Sequence, residues 1–160
     1  TKKLTWMNGQ YLSMLPLAEI IPEVRAFFLR SGLIDEKWIA ENNDYFEKLI
    51  DVVRVRVKTL QEVVEASSYF FREISEYDEK GIAKHFTPDA AELLSECLKS
   101  LNLLEDFTLP AMEKTYAEIA ENKGIALGKL IHPTRLALTG RMVSPGLFDV
   151  MLLLGREKTI

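Results

Sequence analysis

Apolar residues recur at spacings of three and four positions along most of this chain, the pattern of helices that bury one face. In the first half, one such stripe fills residues 15–31 and ends at Gly32, and a longer one fills residues 43–71, within which Thr59 is a candidate start of a further helical stretch. Within the longer stripe, residues 53–57 alternate valine and arginine as a strand does, but the helical spacing on both sides favours a helix. No strand pair or repeat interrupts the pattern, so we predict an all-α fold of two consecutive helical bundles.

Breaks in this pattern divide the chain near residue 76. The segment 72–86 is charged, short of apolar runs and broken by Gly81, so we place the first domain at residues 1–75 and the second at residues 76–160. Residues 1–12 carry an Asn-Gly turn signal. In the second domain, residues 87–89 and 108–110 each combine a hydroxyl with a proline and predict two helix starts, the later helix ending at Gly124.

Glycine and proline are densest in residues 124–157, where they separate short apolar-periodic segments. This predicts short helices joined by rigid corners. The first corner is expected to start a helix near Arg135, where unpaired N–H groups attract the acceptor groups of a ligand. The second corner, residues 144–148, is expected to start the last helix with Ser144 as its cap. The alternative is an ordinary capped helix with Phe148 in the core.

Composition narrows the function classes without choosing among them. The chain has 160 residues and a net charge of −4, which argues against a general nucleic-acid coater but not against a local cluster of arginines. The single cysteine, Cys97, lies in an apolar-periodic run and is predicted to be a buried thiol, in keeping with the reducing cytosol. No apolar run approaches the length of a membrane span. The chain opens without an initiating methionine, and we interpret it as a fragment of a longer protein.

Residue patterns for catalysis are mostly missing. The only histidines are His85 and His132, and neither stands at a motif spacing from a hydroxyl or thiol nucleophile. No glycine-rich phosphate loop occurs, and one cysteine with two distant histidines makes a metal site improbable. We therefore expect no catalytic residue, no metal and no cofactor in this chain, and a small helical enzyme is the weakest of the hypotheses.

Arginine is the better indication of function. Arg54 and Arg56 stand two positions apart on the predicted long helix, so they face different sides. One of them lies near the apolar stripe and needs a partner or a ligand, because an unpaired charge is rarely buried. An arginine fork can bond a base edge or a phosphate bidentately, but an ion-paired or snorkelling arginine remains open as the alternative.

Residues 124–157 also resemble a known family. The succession LGKL, Pro133, Arg135, ALTGR, VSP and LF resembles the C-terminal end of bacterial glutamyl-tRNA synthetases, which holds the tRNA anticodon. The similarity extends to the segment ending at Leu60, whose arginines match the R-x-R-x-x-T-L of the family. Residues 16–33 are similar to the family's entry helix, and residues 1–12 resemble the linker that leads there from its catalytic half. The resemblance implies that both bundles are anticodon-binding domains.

Within that resemblance, site residues carry over position by position. Arg56 matches the second arginine of R-x-R, which reads the third anticodon base, where the tRNAs for glutamate and glutamine differ. Arg54 is the first arginine of the same motif. Four residues of the corner lie around the first two bases together with Arg135: Ser144, Pro145, Leu147 and Phe148. The family usually has glutamine before the proline, where this chain has His132, so no role is transferred to His132.

The function implied by the resemblance is recognition of the tRNA-Glu anticodon loop. The parent enzyme would ligate glutamate to tRNA-Glu with ATP and magnesium, but the HIGH-like and KMSKS-like motifs of its catalytic half do not occur in this sequence. We therefore expect a cytoplasmic monomer without catalytic activity of its own and without DNA or membrane partners. A helical protein-interaction module without an RNA role is the alternative.

Overall fold

The computed structural model describes the backbone of residues 2–160 and the side chains from residue 8 onward. All regular structure in this part of the chain is helical, which confirms the all-α prediction. The α-helices are α1 (Lys2–Met14), α2 (Leu17–Ser31), α3 (Glu36–Glu41), α4 (Asn43–Arg54), α5 (Leu60–Ala66), α6 (Glu79–His85), α7 (Ala90–Asn102), α8 (Leu109–Lys123), α9 (Gly128–Thr139), α10 (Leu147–Leu154) and α11 (Arg156–Thr159), with a 3-10 turn at Ser68–Phe70.

The chain forms two compact units, Thr1–Glu73 and Ile74–Ile160, which we call unit 1 and unit 2. Each has its own hydrophobic core. The assignment of residues 1–75 and 76–160 to two anticodon-binding subdomains stays a prediction.

The core of unit 1 is built where α2, α4 and α5 meet. Phe28 of α2 and Phe46 of α4 are both fully buried and meet edge to face, with ring centroids 5.2 Å apart. Edge-to-face aromatic pairs of this kind add about 0.5–1.5 kcal/mol to the effect of burial alone. The core fixes α4, and with it the turn that follows Arg54.

The helical signal over residues 43–71 forms two helices rather than one, and Thr59 starts the second, as the sequence suggests. α4 ends at Arg54, and α5 begins only at Leu60. Thr59 starts the new helix by accepting a hydrogen bond from the Glu62 N–H, and the Glu62 carboxylate accepts one from the Lys58 N–H at 2.7 Å. Such reciprocal capping stabilises a helix start, so the β-branched residues before it form a turn.

The Asn-Gly pair in the first segment does not form the turn that its sequence suggests. Asn8 and Gly9 lie inside α1. A Cβ on Gly9 would stand 3.3 Å from the Lys58 Cγ. The missing side chain therefore lets the Lys58 segment lie close against α1, which is a packing reason for this glycine rather than a turn.

The core of unit 2 joins α7, α8, α9 and α10. Tyr116 of α8 is fully buried, and its hydroxyl lies 3.0 Å from the Thr134 Oγ1 of α9. Cys97 of α7 is also buried in this core, as its apolar-periodic run predicts, and burial raises the pKa of its thiol to about 11.

Gly81 was expected to break the chain but lies inside α6. A Cβ there would stand 2.9 Å from the Met142 Cγ and 3.0 Å from the Leu136 Cδ1. The glycine therefore permits close packing of α6 against α9. The start at residues 87–89 is shifted as well, because α7 begins at Ala90 with Asp89 before it, and the Thr87 hydroxyl bonds the Asp89 carboxylate.

Candidate nucleic-acid interface

Arg54 is held within unit 1. Its Nη2 lies 2.8 Å from the Asp51 carboxylate, and its Nη1 donates to the carbonyls of Leu15 at 2.6 Å and Leu12 at 3.3 Å. The helical partner of the Leu12 carbonyl would be the N–H of Pro16, which proline lacks. Arg54 therefore supplies donors to a helix end that has none. The ion-paired alternative describes this arginine, whose side chain is 13% exposed.

Arg56 is the opposite case. It lies in the turn after α4, not on a helix, and its side chain is exposed. Its backbone N–H donates to the Val53 carbonyl at 3.0 Å, while its guanidinium has no partner among the described residues. The turn is therefore held by its backbone and by the Thr59 cap, and the planar donors of Arg56 face solvent.

Arg135 does not begin a helix, contrary to the sequence-based expectation. α9 starts at Gly128, and Pro133 lies inside it. Proline withholds a hydrogen bond from the carbonyl four residues earlier, but the turn is held by other contacts. Thr134 donates to the Leu130 carbonyl at 2.7 Å and bonds the buried Tyr116 hydroxyl. Arg135 thus projects from the side of a helix that tertiary packing carries through a proline.

The guanidinium of Arg135 is joined to the second corner. Its Nε donates to the Ser144 Oγ at 2.9 Å, and its Nη1 lies 3.4 Å from the His132 Nδ1. Ser144 is not the predicted cap, because α10 begins at Leu147 with Gly146 before it and no side-chain cap. Its hydroxyl donates instead to the Pro145 carbonyl at 2.7 Å. The serine therefore fixes the orientation of Arg135.

The apolar residues of the second corner are mainly scaffold. Pro145 and Leu147 are buried, and Phe148 packs edge to face on Tyr116 with centroids 5.2 Å apart. Phe148 keeps part of its ring exposed. Of the three, it is the one that can touch a ligand without unfolding the corner.

The sequence patterns did not identify one residue of this surface. His85, at the end of α6, stacks on His132 with ring centroids 4.9 Å apart and an interplanar angle of 26°. Burial, followed by the nearby charges of His132, Lys84 and Arg135, lowers the pKa of His85 from its ordinary value of 6.5. The spacing of residues along the sequence does not predict this pair, because the two rings meet only when Gly81 lets α6 approach α9.

The structure therefore brings Arg135, Ser144, His132 and His85 together on unit 2, whereas Arg54 and Arg56 belong to unit 1. The Arg135 guanidinium gives this cluster a positive charge and planar donors, which suit an acceptor-rich, negatively charged ligand. Among the side chains described from residue 8 onward, no three metal-ligating groups lie close enough together to hold an ion. The described helices include none that is long and apolar enough to cross a membrane.

Comparison with known proteins supplies the context for this surface. A family model described as an anticodon binding domain matches residues 17–160. The glutamate–tRNA ligase of Moorella thermoacetica is 48% identical over 161 residues, covering 100% of this chain and 33% of the relative. That of Desulforudis audaxviator is 43% identical, covering 99% and 32%. The chain thus spans about a third of the length of these curated relatives.

Solved structures agree with the sequence comparison. The crystal structure of a glutamate tRNA ligase from Elizabethkingia meningosepticum, in complex with its amino acid, is similar with a TM-score of 0.81 at 27% identity. The similarity covers 97% of this chain and 30% of that one. The glutamate-tRNA synthetase from Elizabethkingia anophelis is similar with a TM-score of 0.72 at 28% identity, covering 97% and 29%.

Proposed function

Because this chain belongs to the family of anticodon-binding domains carried by glutamate–tRNA ligases, we propose that it recognises the anticodon loop of tRNA-Glu. The observation that carries the proposal is Arg56. It is exposed, it lies in a turn fixed by the Thr59 cap, and its guanidinium has no partner among the described residues. A fixed backbone with a free planar fork is what bidentate recognition of a base edge requires.

In this proposal, Arg56 reads the third anticodon base. Sequence-specific RNA readers bind unstacked bases through hydrogen bonds to their edges and through stacking on flat side chains. A guanidinium offers donors only, so it favours a base with acceptors on the facing edge and disfavours one with an amino group there. Arg56 thereby separates the tRNAs for glutamate and glutamine at the position where they differ.

The first two anticodon bases are assigned to unit 2. Arg135, oriented by Ser144, donates to the bases or to their phosphates, and the exposed part of Phe148 packs against a base. Pro145 and Leu147 support the corner from within the core. Arg54 acts indirectly, because its donors hold the end of α1 beside the turn that carries Arg56.

The whole ligase would join glutamate to tRNA-Glu, using ATP and magnesium bound by its catalytic half. This chain contributes discrimination through contacts remote from that chemistry. We assign the ligase to the cytoplasm and infer that it acts as a monomer, since each chain carries both anticodon-binding bundles.

The test is binding of the chain to a tRNA-Glu anticodon stem-loop and to the same stem-loop with the third anticodon base replaced. Wild-type protein should prefer the cognate loop. Arg56→Ala should lose that preference by roughly 5- to 100-fold, corresponding to about 1–3 kcal/mol for a bidentate base contact. Filter binding at low salt measures both affinities.

Arg72→Ala is the matched control, because Arg72 is also an exposed arginine of unit 1 and has no side-chain partner among the described residues. It should leave the preference unchanged. Equal binding of both loops by wild-type protein would overturn the proposal. A stable protein partner that RNA fails to displace would then favour a helical protein-interaction module.

A further inference from the structure

A cavity of about 480 Å³ opens in unit 1 beside the turn that carries Arg56. It is bordered by α1, by α2 and by the residues that start α5. Volumes of this order are typical of sites for small flat ligands. Nothing in the proposed roles of Arg56 and Arg135 uses this cavity.

An aromatic ring stands at the cavity with much of its surface in solvent. Tyr11 of α1 lines the cavity and is 57% exposed, and Phe27 of α2 lines it as well. Exposed tyrosine rings are the platforms on which unstacked nucleic-acid bases bind, because every base has a π-face.

The polar groups of the cavity match the edges and the phosphate of a nucleotide. Lys58 lines it, and its ammonium group has no ion-pair partner among the described residues. The side-chain amide of Asn8 has no hydrogen-bond partner among the described residues. The Gln61 Nε2 donates to the Glu65 carboxylate at 3.0 Å, which leaves the Gln61 side-chain carbonyl oxygen as an acceptor. Among the described residues that line the cavity, Glu23 is the acidic one, and it can accept from a base amino group.

The position of Lys58 ties the cavity to the Arg56 turn. Gly9 lets the Lys58 stem lie against α1, and the Lys58 N–H is bonded to Glu62. Two residues of extended chain span at most about 7 Å, so Lys58 lies within that distance of Arg56. The rim of the cavity and the Arg56 side chain are therefore carried by one short segment of chain.

From this juxtaposition we infer that the cavity is a stacking site for an RNA nucleotide next to the base that Arg56 reads. The base of that nucleotide stacks on Tyr11, and its phosphate pairs with Lys58. The inference rests on the proposed anticodon recognition and adds a fourth nucleotide to it. Stacking on Tyr11 holds one nucleotide next to the anticodon outside the base stack of the loop.

The test is a double-mutant cycle between the protein and the RNA. Tyr11→Ala is combined with an anticodon stem-loop that is abasic at the nucleotide directly after the third anticodon base. Each change alone should weaken binding roughly 5- to 150-fold, the range for one base stacked on an aromatic ring. Both changes together should weaken it no further than one, because the same contact is removed twice.

Three further variants separate the effects of stacking, charge and folding. Tyr11→Phe retains the ring and should bind within about twofold of wild type, whereas Lys58→Ala should weaken binding to all loops and lower its salt dependence. Tyr77→Ala removes an exposed tyrosine of unit 2 and should be additive with the abasic loop. Additivity of Tyr11→Ala with the abasic loop would overturn the inference even if the Arg56-dependent preference persists.

The source of the nucleotide is tested separately with adenosine monophosphate, followed by NMR line shifts of Tyr11. Free nucleotide should perturb Tyr11 only at concentrations far above those at which the stem-loop binds. Tight binding of the free nucleotide, unaffected by added stem-loop, would contradict an RNA site. If wild-type protein shows no preference for the cognate third base, in contrast, the proposed function itself is contradicted.

Discussion

Two arginines two positions apart have different physical roles in this chain. Arg54 is largely buried and bonded to Asp51 and to the carbonyls of Leu12 and Leu15, whereas Arg56 is exposed and has no side-chain partner among the described residues. The sequence shows that they face different sides but not which one is held within the protein. That depends on where α4 ends and on Pro16 leaving a carbonyl without its donor.

Removing Arg54 should therefore affect stability, and removing Arg56 should not. Arg54→Met keeps the apolar stem but leaves the two carbonyls and Asp51 without their charged donor, which should lower the free energy of unfolding by about 1–3 kcal/mol. Arg56→Met should stay within about 0.5 kcal/mol of wild type. Urea unfolding of both variants gives the comparison. Equal stability of the two would show that the Arg54 bonds contribute nothing net.

At the scale of the elements, glycines set how closely helices and their ends approach. Gly124 ends α8 and Gly140 ends α9, both with positive φ, 63° and 72°. They differ in their surroundings. A Cβ on Gly140 would stand 2.7 Å from the backbone oxygen of Glu76, whereas one on Gly124 meets nothing within 4 Å. Gly140 also accepts from the Asp78 N–H at 2.9 Å, joining the end of α9 to the start of α6.

This pair allows strain and crowding to be separated. Gly124→Ala should cost about 1–2 kcal/mol, the penalty of a side chain in the left-handed region. Gly140→Ala carries the same penalty and must also displace the Glu76 backbone, so it should cost more, by about 1–3 kcal/mol of overpacking. Thermal or urea unfolding measures both. Equal losses would mean that the segment before α6 moves aside without cost.

At the scale of the whole molecule, histidine is the side chain whose ordinary pKa lies closest to neutral pH. The chain has 24 acidic residues and only two histidines. Carboxylates ordinarily titrate below about pH 5, so a histidine with a shifted pKa is the kind of group that makes stability depend on pH near neutrality. His85 is unusual there, because burial and the charges of His132, Lys84 and Arg135 lower its pKa from 6.5.

The pH dependence of stability follows from this direction. A lowered pKa means that the unfolded chain binds the proton more readily, so the contribution of His85 is complete above pH 6.5 and is lost as pH falls below it. Stability should therefore fall as the pH drops below about 6.5, and the stability of His85→Gln should fall less. Urea unfolding at a series of pH values tests this. An identical decline in both proteins would contradict the prediction.

Much of the fold could be predicted because it is local. The apolar stripes and terminal glycines gave α2 and α8 closely, with ends at Gly32 and Gly124. The errors arose where contacts between distant segments override local preference. α9 runs through Pro133 because Thr134 bonds Tyr116 and Leu130, and α6 includes Gly81 because α9 packs against it. His85 was missed for the same reason, since its stacking partner is supplied by another helix.

The buried thiol of Cys97 gives the protein a built-in reporter. With its pKa raised to about 11 and its side chain sealed in the core of unit 2, it reacts with alkylating reagents only when that core opens. The rate at which Cys97 is alkylated therefore reports how often unit 2 opens, and mass spectrometry can measure it on the wild-type chain. Unit 1, which has no cysteine, can receive a dye at one engineered cysteine without first removing the native thiol.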